Sequence, residues 1–455
     1  MQVPATPEKK KLGLLQASAI NMIDMVGIGP FVVMSLVVQR MNGPFFLYAW
    51  LAGALLSFID AMIWSELGAA YPRAGGSYNF LREAFGKNSW GLLLSFLFVW
   101  QTLIQAPLVV ASGSIAFSQY LGYIVPLHGW PAKAVSGGVV VVITILLYRR
   151  IDEVGRIGLF LWAGVIITLG LIIAGGIWKG DFLRPLKEVN TGLHVNMLFF
   201  VVLGSASVKT IYSYLGYYNI CHIGNDIDRP GKNIPRSMFI SIAGVAFLYL
   251  LMNISVMSVV PWQEACHSDF VVSLFAEKIM GHGAGIVVTL LVLWVALASL
   301  FAVLLGYSRV PYAAAAEGDF LSVFAKLHPR KQFPHISLLF LATLGFIFSL
   351  LFRLSQVIDA ILAMRILIQF IGQAIGVVLL RRKNGSAALP FKMPLYPVPV
   401  VVAIVMWIAI FVSTGTAFML AGLVVILAGT FVYLVRAWLF RKWPFEQRLQ
   451  AELRQ

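Results

Sequence analysis

Long apolar runs, each close to the length of a bilayer-crossing helix and almost free of charge, follow one another along the chain with short polar interruptions. They fall near 14–40, 44–70, 90–122, 132–149, 156–178, 195–224, 236–260, 283–314, 335–352, 357–380, 397–415 and 417–439. About 20 apolar residues at 1.5 Å each cross the roughly 30 Å hydrocarbon core of a bilayer. The pattern therefore predicts twelve transmembrane helices in an all-α integral membrane protein. Only the turn Ser413-Thr414-Gly415 separates the last two runs, which predicts a tight helical hairpin.

Two runs are spoiled at depth. The first carries IDMVGIGPF over Ile23 to Phe31, with two glycines, a proline and Asp24 where lipid tolerates neither a broken helix nor a carboxylate. The sixth carries YSYLGYYN over Tyr212 to Asn219, with Gly216 at a depth comparable to Gly27. Taken singly, each reads as well as a kink or a close-packing glycine. Their matched positions point instead to two inverted repeats, spans 1 to 5 and 6 to 10, with a binding site near the midplane between them. Irregular backbone survives at that depth only where it lines a cavity or is buried in protein. Freed amides at a half-helix N-terminus attract a carboxylate, and freed carbonyls at a C-terminus attract an ammonium. The pair suits a zwitterion such as an amino acid.

Composition agrees with the class: 60% of the 455 residues are hydrophobic, mean hydropathy is +0.86, and 12% are charged, against about 25% in soluble domains. Of the 34 Lys and Arg, 25 fall on alternate segments beginning with the N-terminus, 7 on the opposite segments, and Lys209 and Arg365 within spans. By the positive-inside rule both termini are cytoplasmic, in a multi-pass protein of the cell membrane. The net charge of +15 is then a band facing the inner leaflet, and nucleic-acid binding is a poor reading. Cys221 and Cys266 fall on opposite sides of the bilayer and read as free thiols. Asn384-Gly385-Ser386 matches a glycosylation acceptor on a cytoplasmic loop. The run after Lys9-Lys10-Lys11 is too long for a cleaved signal peptide. Metal-ligand spacings, a phosphate-binding loop, a facing nucleophile and base, and a filter-like ring of charges are all missing, so the sequence argues against an enzyme, a cofactor, an ATP motor or a channel.

Four stretches carry a family resemblance: SELGAAYPRAGGSYNFLREAFG (65–86), IGNDIDRPGKNIPRS (223–237), RVPYAAAAEGDFLSVFAKLHPRKQFP (309–334) and LPFKMPLYPVP (389–399), all on the expected cytoplasmic side. With them the chain resembles the amino acid-polyamine-organocation superfamily, and within it the bacterial permeases related to the L-type amino acid transporters. The resemblance implies a LeuT-type fold, a ten-helix core of two five-helix inverted repeats with broken helices 1 and 6, plus two extra helices. The transporter domain would span 14–440, with repeat one at about 14–180, repeat two at about 195–383 and the extra helices at about 397–440, between cytoplasmic tails 1–13 and 441–455. Its implied activity is secondary active transport of an amino acid by alternating access, as proton symport or exchange, with no obligatory partner subunit evident. By position, the resemblance puts the amides of Gly27, Ile28 and Gly29 on the substrate carboxylate. It puts the carbonyls of Tyr212, Ser213 and Leu215, beside Gly216, on the ammonium, and Tyr217 as an aromatic gate. Two departures stand out. Pro30 lacks the N–H that relatives more often offer there, and Leu161 to Val165 in the fifth span lacks the lysine many relatives carry. Asp24 beside the site keeps a polyamine or other organic cation carrier of the same fold as the alternative.

The remaining charges within spans each cost about 2.5 to 3.5 kcal/mol at a helix centre, so each is expected to face the bundle or a wet cavity. Asp60 and Glu66 read as packing polar groups or partners of basic residues at the cytoplasmic ends. Arg365, Gln369 and Gln373 share one face of the tenth span, and Trp100, Gln101 and Gln105 read as packing in the third. Asp24 and Lys209 both lie near midplane by residue count. Two readings stand for them: a central charge pair that serves as a coupling element, or two side chains each satisfied separately.

Overall fold

In a computed structural model, residues 12–73, 75–148, 151–188, 194–385 and 389–445 are described, the side chains of 151–159, 162 and 384 excepted. Lys9 to Lys11, Arg149, Arg150, Arg448, Arg454 and most of both expected tails lie outside these residues, as does Ser386; of Arg156 and Trp162 only the backbone is described. The first half runs α1 (Leu14–Met25), α2 (Gly29–Met41), α3 (Phe46–Ala70), α4 (Ser77–Phe85), α5 (Trp90–Leu121), α6 (Trp130–Leu147), α7 (Ile151–Lys179) and the short α8 (Arg184–Glu188). The second runs α9 (Met197–Tyr214), α10 (Pro230–Val259), α11 (Trp262–Ala265), α12 (Val271–Met280), α13 (His282–Ala316), α14 (His335–Leu351), α15 (Leu354–Arg365), α16 (Gly372–Asn384), α17 (Val398–Ser413) and α18 (Thr416–Leu439). Among the described residues the architecture is all-helical.

Eight helical stretches are long and apolar enough to cross a membrane, and the pair α1 and α2, bent by 50°, makes a ninth. Three further apolar helices, Ala163–Lys179, His335–Leu351 and Val398–Ser413, are shorter. Together they occupy the twelve runs read from the sequence. The sixth run is interrupted within the stretch read as a break: its α-helix stops at Tyr214, and the remainder is turn followed by two short 3-10 segments, Asn219–His222 and Gly224–Asp226. Four of the eight residues over Tyr212 to Asn219 are tyrosines, and Gly216 takes φ +121°, a conformation open to glycine and strained for other residues. The tenth run is continuous but contains a π-segment, Ile366–Ile371, directly after Arg365.

The broken elements sit inside the bundle. α3 packs against α9 and α10, α1 against α10, α2 against α9, and α5 against α13, α14 and α15. Two buried carboxylates of α3 act as fasteners. Glu66 takes a bidentate pair from Arg381, with Arg381 Nε at 2.6 Å, and the Met393 amide at 2.8 Å, fixing the LPFKMP stretch to the end of α16. Asp60 accepts from Tyr217 Oη at 2.5 Å and Trp407 Nε1 at 2.9 Å, joining α3, the segment after α9, and α17. Glu66 is thus the partner of a basic residue and Asp60 a packing polar group. The polar face of the tenth run meets the first turn of α4, where Gln369 and Gln373 donate to Ser77 Oγ at 3.3 and 2.9 Å. Trp100 donates to the Val425 carbonyl of α18 at 3.1 Å, a packing role.

Candidate functional site

α1 ends at Met25 because Gly27, Gly29 and Pro30 cannot sustain it, and α2 begins at once with Pro30 in its first turn, where a missing N–H removes nothing from the helix. Val26 still donates to the Met22 carbonyl, and Gly27 N–H folds back on the Met25 carbonyl at 3.1 Å. The amides of Ile28 and Gly29 have no backbone acceptor among the described residues. Of the three amides expected to meet a carboxylate, two are therefore open and the Gly27 amide is engaged.

The second break lies against the first. A Cβ on Gly216 would stand 2.9 Å from the Asp24 carbonyl carbon and 3.0 Å from the Met25 nitrogen, so only glycine allows the two chains to approach this closely. Side chains stitch the approach. Asn219 Nδ2 donates to Asp24 Oδ2 at 2.8 Å, and Asn21 Oδ1 accepts from the Ile220 amide at 3.0 Å. Tyr249, fully buried on α10, holds its hydroxyl 2.8 Å from the Met25 carbonyl and 3.1 Å from the Ser213 carbonyl. The Ser213 carbonyl, expected to be free for an ammonium, is thereby contacted. The Tyr212 carbonyl lies 3.4 Å from the Leu215 amide, and the Leu215 carbonyl has no backbone donor among the described residues.

Between the breaks lies a cavity of about 70 Å3, room for about two waters. Asp24, Gly27, Ile28 and Gly29 line it from one break, and Tyr212, Leu215 and Gly216 from the other. Tyr218 and Asn219, Ser299 and Tyr307 of α13, and Arg365 of α15 also line it, with apolar groups of α5 and α13 between them. The glycines are tightly fitted: a Cβ on Gly27 would meet Ser299 at 3.0 Å, and one on Gly29 would meet Tyr212 at 3.2 Å and Ser213 Oγ at 3.3 Å. A wider vestibule of about 410 Å3 lies beside α2, α5 and α6, bounded by Ser35, Gln119, Lys133 and Arg353.

Three expectations are corrected. Ser213 and Tyr217 do not line the cavity; the Tyr217 hydroxyl turns to Asp60, and Tyr218 takes the cavity wall in its place. In an irregular segment the 100° advance per residue no longer holds, so neighbouring tyrosines exchange faces without any change in the sequence pattern. Lys209 does not pair with Asp24. Its Nζ lies 2.6 Å from Asp359 Oδ1 and 3.1 Å from the Ser355 carbonyl, both on α15, while Asp24 has Asn219. Both are satisfied separately. Among the described residues no three His, Cys, Asp or Glu side chains are grouped to hold a metal ion.

Several wall residues escaped the sequence reading. Tyr218 and Asn219 lay within the polar stretch that flagged the second break, and nothing there separated them from Tyr217. Ser299 and Tyr307 on the wall, and Tyr249 behind the breaks, sit in apolar helices with no local signal. Only the convergence of those helices on the breaks selects them.

Comparison with known proteins adds an independent line. The sequence profile of the family described as "Amino acid permease" matches residues 12–435. The Asc-type amino acid transporter 1 of Mus musculus is 28% identical over 346 residues, 73% of this chain and 63% of the relative, so the chain spans less than two thirds of that protein's length. The serine/threonine exchanger SteT of Bacillus subtilis (strain 168) is 25% identical over 405 residues, 87% of this chain and 89% of the relative. The cystine/glutamate transporter of Homo sapiens is 26% identical over 398 residues, 85% of this chain and 77% of the relative.

Proposed function

Because the chain belongs to the amino acid permease family, we propose that it moves amino acids across the cell membrane by alternating access, as a secondary transporter whose substrate lies between the two breaks. One observation carries this reading: a single cavity is bounded on one side by the open amides of Ile28 and Gly29 and on the other by the segment containing the Leu215 carbonyl. Unmatched donors at one end and an unmatched acceptor at the other complement a carboxylate and an ammonium on one small molecule. In this reading Gly27 and Gly216 supply shape, Asp24 adds anionic character on the ammonium side, and the 70 Å3 space widens when substrate enters. All twelve apolar runs cross the bilayer as two inverted five-helix repeats and two extra helices, with both termini cytoplasmic. Exchange is the favoured coupling mode, supported by the exchanger among the relatives.

Purified protein in proteoliposomes should take up a radiolabelled α-amino acid, faster with amino acid inside if exchange operates. Esterifying the substrate's carboxylate or acylating its amine should abolish competition. Gly216→Leu should eliminate uptake while a monodisperse protein is still recovered, because the new side chain meets the Asp24 backbone. Equal competition by amines lacking a carboxylate would favour an organic cation carrier. Asp24 on the wall speaks for that second reading, and the guanidinium of Arg365 on the same wall speaks against it.

A further inference from the structure

Arg365 is 3% exposed, and its guanidinium reaches the central cavity with neutral partners alone. Its Nε donates to Gln369 Oε1 at 2.8 Å, and the guanidinium lies 5.0 Å above the Tyr218 ring and 5.9 Å from that of Tyr307. Among the described residues no carboxylate comes within the 4.0 Å of an ion pair, although the other strongly buried cation, Lys209, has Asp359. Asp24, the one carboxylate on the same wall, is held by Asn219. A buried, always-charged guanidinium without an anion is costly, and its planar fork suits a carboxylate better than any other small group.

We propose that Arg365 determines specificity by receiving a second carboxylate, so that the preferred substrates are amino acids with an acidic side chain. The inference rests on the transport reading above and assigns each charge of such a molecule a counterpart. The α-carboxylate meets the Ile28 and Gly29 amides, the ammonium meets the Asp24 and Leu215 side of the cavity, and the side-chain carboxylate meets Arg365. With a neutral amino acid bound, the guanidinium would keep only its tyrosine and glutamine contacts.

The test is a competition panel in proteoliposomes comparing glutamate and aspartate with glutamine and asparagine, pairs that differ by the charge alone. In the unaltered protein the acids should compete better than the amides by about tenfold or more, the usual strength of a charge-assisted contact. Arg365→Gln should remove that preference, so that acid and amide compete equally. Arg365→Lys, which keeps the charge and loses the fork, should retain part of it. An unaltered protein that recognises the amides as well as the acids overturns the proposal and leaves the transport reading standing, and it does so without any variant having to fold. Equal losses for acid and amide in Arg365→Gln also overturn it, since the guanidinium would then serve the α-carboxylate or the packing. If no amino acid competes, both readings fall.

Discussion

Lys209 and Arg365 are two cations of the same kind in the sequence, single basic residues deep in apolar runs, and the bundle treats them in opposite ways. Lys209 is closed off by Asp359 at 2.6 Å and the Ser355 carbonyl at 3.1 Å, a fastening between α9 and α15. Arg365, on the same α15, lines the cavity with no carboxylate in ion-pair range among the described residues. A charge within the membrane therefore marks function only when its partner is missing. When the partner is present it marks architecture.

The sharpest way to break this contrast is to remove each charge and measure thermal stability in detergent. Lys209→Met leaves the half-buried Asp359 uncompensated and should cost about 3 kcal/mol, the lower end for a buried pair. Adding Asp359→Asn should restore most of it, as expected for a pair that acts as one unit. The next effect concerns a purely structural carboxylate: Tyr217→Phe withdraws one of the two neutral donors from Asp60 and should cost about 1 to 3 kcal/mol, with substrate selectivity unchanged because Tyr217 lies off the cavity. Smaller still, Tyr249→Phe should cost about 1 kcal/mol of stability and lower uptake, since it loosens both breaks. At the bottom of the scale Arg365→Gln should change the melting temperature least, because the cost of burying a charge without an anion offsets the Gln369 hydrogen bond and the ring contacts that the substitution loses. A destabilisation by Arg365→Gln as large as that of Lys209→Met would erase the contrast.

The sequence carried the parts that depend on composition along one axis. Apolar run length located the helices, and Gly27, Gly29, Pro30 and Gly216 located the breaks, because backbone chemistry is local. What it did not carry is direction around each axis. Counting residues at 1.5 Å put Asp24 and Lys209 at similar depth, yet depth says nothing of which neighbour a side chain faces, and Asp359, one turn after Ser355 in α15, took the lysine. The exchange of Tyr217 for Tyr218 on the cavity wall has the same origin in an unwound segment. Asp60 and Glu66 were legible only together, as packing polar groups or partners of basic residues, and it took the structure to give Arg381 to Glu66 and the neutral donors to Asp60.

The Tyr249 hydroxyl touches two carbonyls, Met25 and Ser213, and owns one proton. The Met25 carbonyl also receives the Gly27 amide, so the shared hydroxyl does not leave that break bare; it ties both broken segments to a single point on α10, and whatever moves that helix moves the two breaks together.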